Sequence, residues 1–486
     1  MKNLLFSAVI IISLVLAGCQ DFLDINQNPN NLNEVSINTI LPSGLLYSAV
    51  VLGHTTQLAG SFWVQHYNQN ASGMQYDFLR TMNFDYSHTF MSAQWLSTYR
   101  QTLPALRDLK AHVKDGFMNG EAYVAVSEIM EAFNWHILNS LYDRICYAEG
   151  QQGLANLNPR FETSRESYNL IISMYEEILK YDIGELQTFA DRTFAGNRSD
   201  MIFDGNMTSW MKFANTVYLK MLMRDFASNR SKIEDALDSE IGFLDAISGD
   251  AKFARFENLP NKSNPLFEAD RRQMGNVQNL RACNSIVIFL NTYDDPRRAA
   301  LFEPDVNGAF TGGAANARAA MTTSRARLDA LDPVYFASAA EAYFLKAEAY
   351  ARLDDFAAAK ENYDAGVKAA FNRWNLDGTS FVAAAGAYEF QNGSEEEMIE
   401  QIIIQKWVAS VRCQAWDAWF DLNRTGFPKR GAPLSVPNRI LILDWSGTVL
   451  ETGTYPRRFL YPQHTYDFNT NAPEFAPLNE KMWWHE

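Results

Sequence analysis

Residues 340–371 read AEAYFLKAEAYARLDDFAAAKENYDAGVKAAF, a stretch with the pattern of a helical repeat. Tyr343, Ala347, Tyr350, Ala359, Tyr363 and Gly366 stand at the spacings of a tetratricopeptide hairpin, in which two antiparallel helices make one repeat. Small residues at Ala347, Ala359 and Gly366 let the helices approach closely, and the tyrosines are expected to fill the groove between them. Asp354 and Asp355 make the turn, with Asp355 placed to cap the second helix by accepting from its free backbone N–H groups. One hairpin cannot bury its apolar face alone, so three or more stacked pairs are expected.

Working outward, apolar residues recur at three- and four-residue spacing near 43–59, 92–114, 119–144, 164–181, 207–228, 231–247, 334–353, 356–372, 395–409 and 412–423. The segments 119–144 and 164–181 read as a looser pair, and 207–228 with 231–247 as another. Strand-like alternation is scarce. Irregular stretches at about 60–91, 183–206, 249–281, 292–333 and 425–486 are too long for plain connectors, so several should carry function or cover the core. The expected fold class is mainly α: a tetratricopeptide-like array of helical hairpins with long irregular insertions on one side.

At the N-terminus, Leu4 to Leu16 carries no charge, follows Lys2 and runs into Leu16-Ala17-Gly18-Cys19. That is the order of a secretory signal ending in a lipobox, and the run is too short to span a bilayer, which takes about 20 apolar residues. The reading is a signal peptide over 1–18, acylation at Cys19, a tether over 19–40 that is Asn-rich and broken by Pro29, and a single domain over 41–486. Three acyl chains, at about 0.8 kcal/mol per buried methylene, make such an attachment effectively permanent. The alternative is an ordinary secretory signal with an incidental Cys.

The chain has a formal charge of −15, and cleavage before Cys19 removes only Lys2 from its cations, so it repels polyphosphate. No nucleic-acid partner is expected, and no membrane contact beyond the lipid anchor. Cys146, Cys283 and Cys413 lie far apart and form no Cys-x-x-Cys or Cys/His cluster, which points to buried free thiols rather than a disulfide framework or zinc site. The seven histidines stand in no metal, nucleophile or phosphate-loop motif. No cofactor is expected; oxygen ligands for calcium are plentiful, but no EF-hand spacing supports one. Eleven Trp, 21 Tyr and 32 Phe exceed what solubility requires, yet aromatics mostly fill cores.

Further motifs follow one another along the chain. Phe22-Leu23-Asp24-Ile25-Asn26 and Asn28-Pro29-Asn30 come just after Cys19. Leu141-Tyr142-Asp143, with Ile145 and Tyr147, is similar to a Leu-Tyr-Gly-Asp-x-Pro-Tyr turn in which Arg144 and Cys146 replace the usual residues. Trp210–Asn215 opens a helix ending in Met223-Arg224, followed by Asp295-Pro296-Arg297 and the repeat hairpin at Glu341–Arg352. Gln405-Lys406-Trp407 precedes Ala415-Trp416-Asp417-Ala418-Trp419-Phe420-Asp421-Leu422-Asn423-Arg424-Thr425-Gly426-Phe427-Pro428, and Pro456-Arg457-Arg458 with Tyr461-Pro462 closes the series. In this order the motifs resemble the SusD/RagB outer-membrane lipoproteins of Bacteroidota, in the SusD-like branch. Trp407, Trp416 and Trp419 stand at helical spacing and are expected in the core, Arg424 is expected to pair with Asp417 or Asp421, and Asp295-Pro296-Arg297 is expected to cap a loop. These signatures speak for fold.

The resemblance implies a non-enzymatic, surface-exposed lipoprotein that captures a glycan, or sometimes a peptide, and lids a SusC-like TonB-dependent barrel in the outer membrane. Sugar sites pair an exposed flat aromatic with side chains that satisfy the hydroxyl rim. The stretch 62–95 mixes Trp63, Tyr67, Tyr76, Tyr86 and Trp95 with Gln65, Asn68, Gln69, Asn70 and Asn83, and is the expected carrier of the stacking residues. The resemblance implies further contacts from about 306–330, which holds Phe310, Arg318, Arg325 and Arg327 but no Trp or Tyr. Candidate ligand contacts are therefore Trp63, Tyr67, Asn68, Asn70, Tyr76, Tyr86, Trp95 and Arg325. Two other readings compete. A helical glycoside hydrolase needs two carboxylates about 5–9.5 Å apart, and no local signature singles out such a pair. A repeat array that binds only a protein partner is the other.

Overall fold

The computed structural model describes residues 37–84, 89–113, 119–186, 198–246, 249–273, 278–429, 443–451 and 454–486. The lipobox, Cys19 and most of the expected tether lie outside the described residues, as does Tyr86. In chain order the elements are α1 (Ile37–Val51), α2 (Gln57–Trp63), β1 (Tyr67–Gln69), α3 (Asp77–Thr81), α4 (Thr89–Ser97), α5 (Leu103–His112), α6 (Gly120–Tyr142), α7 (Ser164–Ile178), α8 (Met207–Leu222) and α9 (Phe226–Asp238). There follow β2 (Ala251–Phe253), β3 (Leu280–Ala282), α10 (Asn284–Thr292), α11 (Arg297–Leu301), β4 (Phe302–Glu303), β5 (Arg325–Ala326) and β6 (Val334–Ala337). The chain closes with α12 (Ala339–Arg352), α13 (Phe356–Asn372), α14 (Glu395–Ala409), α15 (Ala415–Thr425) and α16 (Gln463–Phe468). The molecule is mainly helical, as the spacing predicts.

The hairpin at 340–371 forms as α12 and α13, the most closely packed pair of helices. Ser338 caps α12 by accepting from the Glu341 N–H at 3.2 Å, and Asp355 caps α13 by accepting from the Ala358 N–H at 3.0 Å. Ala347 and Ala359 are fully buried between the helices. A methyl group on Gly366 would come within 2.8 Å of the Phe344 ring, so glycine is what allows this approach. The groove is filled by Phe344 and Tyr363, 6.2 Å apart, rather than by all three tyrosines. Tyr343 and Tyr350 are only half-buried, because the helix turns each of them away from its partner.

Around this pair, α6 packs on α7, α7 on α8, α8 on α9, and α14 on both α12 and α15, so the stacked hairpins exist. Capping boxes at Thr163/Glu166 and Ser394/Glu397 start α7 and α14. Boundaries differ from the spacing in two places. The helix expected over 334–353 begins only at Ala339, because Val334–Ala337 pairs with β2 as a strand. The break expected near 228 falls at Met223–Asp225, where the Asp225 side chain caps α9. Helical packing also starts inside the expected tether, since Ile37 and Ile40 of α1 are buried.

The insertions are not all irregular. Strands of two to four residues build one sheet of order β1-β3-β5-β4 and a pair β2-β6. Segments this short carry no readable period; residues distant in sequence hold them. Phe302 of β4 pairs with Ala326 of β5, and Tyr67 of β1 with Ala282 of β3.

The signature motifs converge in the core. Trp407, Trp416 and Trp419 are buried, and the indole N–H groups of Trp407 and Trp419 donate to the Val64 and Pro456 carbonyls at 2.9 and 2.7 Å. Arg424 pairs with Asp421 at 2.9 Å, one of its two expected partners, and reaches Glu348 of α12 at 2.6 Å. Asp417 instead faces Lys220 and Lys406, at 3.2 and 3.0 Å. Asp295 and Arg297 form a buried bidentate pair that Tyr388 joins at 2.7 Å. Cys146, Cys283 and Cys413 are buried free thiols, and burial pushes the last two up to about 11 and about 12.

Where α8, α12, α14 and α15 meet, Lys220 and Lys406 face Glu341, Asp417 and Asp421. Burial, followed by the charge of Asp417, pushes the Glu341 carboxyl up to about 7, so it is the carboxylate that surrenders its charge first. Burial disfavours the charge on Lys406, but Asp417, Asp421 and Glu341 outweigh it and hold its pKa above the ordinary lysine value. With Glu341 protonated, two ammonium groups meet two carboxylates. The unfolded chain releases the Glu341 proton near pH 4.5 and the folded chain near 7, so this group's contribution to stability declines as pH rises through that window. Glu341→Gln is therefore expected to gain stability relative to the parent between pH 5 and pH 8, read from urea midpoints. A gap that stays constant with pH would refute the assignment.

Candidate functional site

The expected platform over 62–95 is folded inward. Trp63 is fully buried against Trp419, Phe84 and Phe459, with ring centroids 4.6, 6.3 and 5.6 Å away. Tyr67 lies edge-on to Phe302 at 6.3 Å, and Tyr76 to Phe62 at 6.1 Å. Trp95 stacks on Phe161 at 5.9 Å and sits among Tyr99, Tyr142 and Tyr461. The amides are equally committed. Asn68 donates to the Ala314 and Ala317 carbonyls at 2.8 and 2.9 Å, while Asn70 accepts from the Ser72 N–H at 2.9 Å. A mixture of rings and amides suits a sugar platform, but it suits equally a buried crossing of loops, where amides satisfy backbone carbonyls that water cannot reach. Trp63, Tyr67, Asn68, Asn70, Tyr76 and Trp95 thus belong to the interior. Arg325, on the inner strand β5, stays half-exposed and is bound to Glu303 and Gln278.

The open concavity lies beside α10. A cleft of about 150 Å³ is lined by Gln65, Asn284, Ser285, Ile288, Ala314, Ala315 and Asp444. It joins the two regions singled out in the sequence, since Gln65 lies near the start of the first and Ala314 and Ala315 belong to the second. Gln65 holds the walls together. Its amide donates to the Asp444 carbonyl at 2.7 Å, and its amide oxygen accepts from the Ser285 hydroxyl at 2.6 Å and the Asp444 N–H at 3.1 Å. Gly312 brings the loop onto the start of α10, where an added methyl would lie 2.6 Å from the Asn284 nitrogen. The next N–H bond, Asn284 to the Gly313 carbonyl at 2.9 Å, ties loop to helix.

Asn284, Ile288 and Asn291 are spaced four and three residues apart and so share one face of α10. Ile288 is 44% exposed and Asn291 is exposed. Asn291 donates to the Phe310 carbonyl at 2.9 Å, and the Arg298 guanidinium lies 5.7 Å from the Phe310 ring. From Asp444 to Phe310 the surface therefore presents amide, hydroxyl and carboxylate groups around an apolar floor of isoleucine, alanine methyls and a half-buried ring. That arrangement can satisfy a hydroxyl rim while covering the apolar face of a sugar. Sequence reasoning named Gln65 and Phe310 but passed over Asn284, Ser285, Ile288 and Asp444. The helical face of 284–291 is the signal for Asn284 and Ile288, visible only with the loop laid against it, whereas Ser285 and Asp444 carry none. Among the described residues no group of three His, Cys, Asp or Glu is placed to share a metal ion.

Comparisons place this architecture. A family model described as starch-binding, associating with the outer membrane, in a SusD-like group, matches residues 29–462. No curated protein matches the chain. Its fold is similar to that of a SusD homologue from Bacteroides uniformis, with 23% identity and a TM-score of 0.71 over 93% of this chain and 100% of that one. It is similar also to a chitin-binding SusD homologue from Flavobacterium johnsoniae, with 19% identity and a TM-score of 0.73 over 92% of this chain and 98% of that one. A SusD homologue from Bacteroides fragilis gives 18% identity and a TM-score of 0.73 over 93% and 100%. With the stacked hairpins, the converging tryptophan motifs and a match over most of its length, the chain belongs to the SusD-like family of glycan-binding proteins associated with the outer membrane.

Proposed function

We propose that the chain is a lipoprotein anchored through Cys19 on the outer face of the outer membrane, where it captures an oligo- or polysaccharide at the α10 cleft and passes it, uncleaved, to a SusC-like TonB-dependent barrel. The observation that carries this reading is the cleft itself, in which Gln65, Asn284, Ser285 and Asp444 surround an apolar floor. A non-catalytic role is supported by its lining, which offers one carboxylate, Asp444, where glycoside hydrolysis uses a pair. A protein partner is supported by Leu46, Tyr47 and Val50, an apolar group on the outer side of α1 that is 36–44% exposed.

The test is affinity electrophoresis of the purified protein through a panel of polysaccharides, followed by calorimetry with the glycan that retards it. Asn284→Ala and Asp444→Ala are each expected to weaken binding roughly 3- to 30-fold, the range for losing one neutral to charged hydrogen bond. Unchanged affinity in both variants would move the site elsewhere. Retardation by no polysaccharide would favour a peptide ligand, and sustained release of reducing sugar would overturn the non-catalytic reading.

A further inference from the structure

One face of the sheet β1-β3-β5-β4 carries a row of charge in which, among the described residues, Glu303 balances only Arg325. The register sets Asn68 opposite Arg281, Arg281 opposite Arg325, and Arg325 opposite Glu303. Residues directly opposite in antiparallel strands share a face, and like charges there repel. The neighbouring positions Tyr67, Ala282, Ala326 and Phe302 point the other way, into the core. Arg325 is held by Glu303 and Gln278, and the nearby Arg271 by Asp270.

Arg281 has no carboxylate among the described residues. It is 4% exposed, donates once to the Thr323 carbonyl at 3.1 Å, approaches the Met321 sulfur at 3.9 Å, and leaves its Nε–H without a partner. A guanidinium presents a fork suited to two oxygens of one anion, and a thioether is a weak acceptor in that place. Met321 is 47% exposed and unbranched, so its sulfur can leave the Nη2 end of the guanidinium by a change of rotamer. The Ser72 hydroxyl, 3.0 Å from the Met321 sulfur, has the Asn70 amide oxygen as its alternative acceptor at 3.1 Å, so it does not depend on Met321. Arg318 stands at the rim, 3.7 Å from Asp77. In a chain of net charge −15 this local excess of arginine is the place where a negative group meets attraction rather than repulsion.

We propose that Arg281 and Arg325 form a subsite for an anionic group of the ligand, a carboxylate or a sulfate, that enters beneath the 306–324 loop by displacing Met321. This rests on the glycan-binding reading above and narrows it to acidic glycans. The same loop lines the α10 cleft through Ala314 and Ala315, so one chain of sugars can reach both places. Burial and the neighbouring Arg325 lower the Arg281 pKa and the Glu303 carboxylate offsets only part of this, which accords with a cation still short of its counter-ion.

The test is affinity electrophoresis of the purified protein through gels containing polygalacturonate, dextran sulfate or the neutral glucan pullulan, with Arg281→Gln and the half-exposed Arg325→Gln run beside it. Retardation by an acidic polymer that drops about 10- to 100-fold in affinity in either variant that keeps the parent's circular dichroism supports the subsite. Polygalacturonate alone points to a uronate, and dextran sulfate alone to a sulfate ester. Retardation by pullulan equal to that by the acidic polymers, or acidic retardation that survives both substitutions, overturns the subsite and leaves the glycan reading standing. Retardation by none of the three overturns the subsite as well, and calorimetry with the wider panel then decides the glycan reading separately.

Discussion

Lys406→Met is expected to be among the most destabilising single changes in the molecule, costing about 3–5 kcal/mol, the usual loss when one member of a buried charge cluster is removed. The methionine keeps most of the stem volume, so the effect isolates the ammonium group. Lys406 lies 2.8 Å from Asp421 and 3.0 Å from Asp417, and all three side chains are less than a tenth exposed. Without it, Lys220 is left to face Asp417 and Glu341, and among the described residues Asp421 keeps only Arg424. Urea midpoints of the parent, Lys406→Met, Asp421→Asn and the double variant form a cycle. The double variant should recover part of the loss, because the second change removes the carboxylate that the first left unpaired. A single-variant loss below about 1 kcal/mol, as for surface pairs, would place the cluster in contact with water.

Trp63→Ala should cost a similar amount, about 3–5 kcal/mol, by opening a cavity between α2, α15 and the Phe459 segment. The ring shows no face to solvent, so the folded variant should bind its glycan as the parent does. Thermal melts and calorimetry on the same samples separate the two roles. A large loss of affinity with an unchanged melting temperature would restore Trp63 as a stacking residue.

Much of the fold was legible because its causes are local. Gly366, Ala347 and Ala359 announce a close helix pair wherever they occur at that spacing, and Asp355 caps α13 through bonds within one turn. Trp407, Trp416 and Trp419 fall on one side of their helices by periodicity alone. The short strands were not legible, since β5 has two residues and exists only because Arg281 and Phe302 lie on either side of it.

The amino-acid sequence by itself determined the class of fold, the repeat hairpin that organises it and the order of motifs that marks the family. Each of these is set by spacing along one helix or turn. Only the tertiary structure decided which aromatics face water. Trp63 and Trp95 match a sugar platform in composition, yet they are drawn inward because residues hundreds of positions away, Trp419, Phe459 and Tyr461 among them, offer apolar surface to bury them. The same packing leaves Asn284, Ile288 and Asn291 on an open helix face and sets Arg281 opposite Arg325. Burial and charge balance are sums over neighbours, and the neighbours are chosen by the fold.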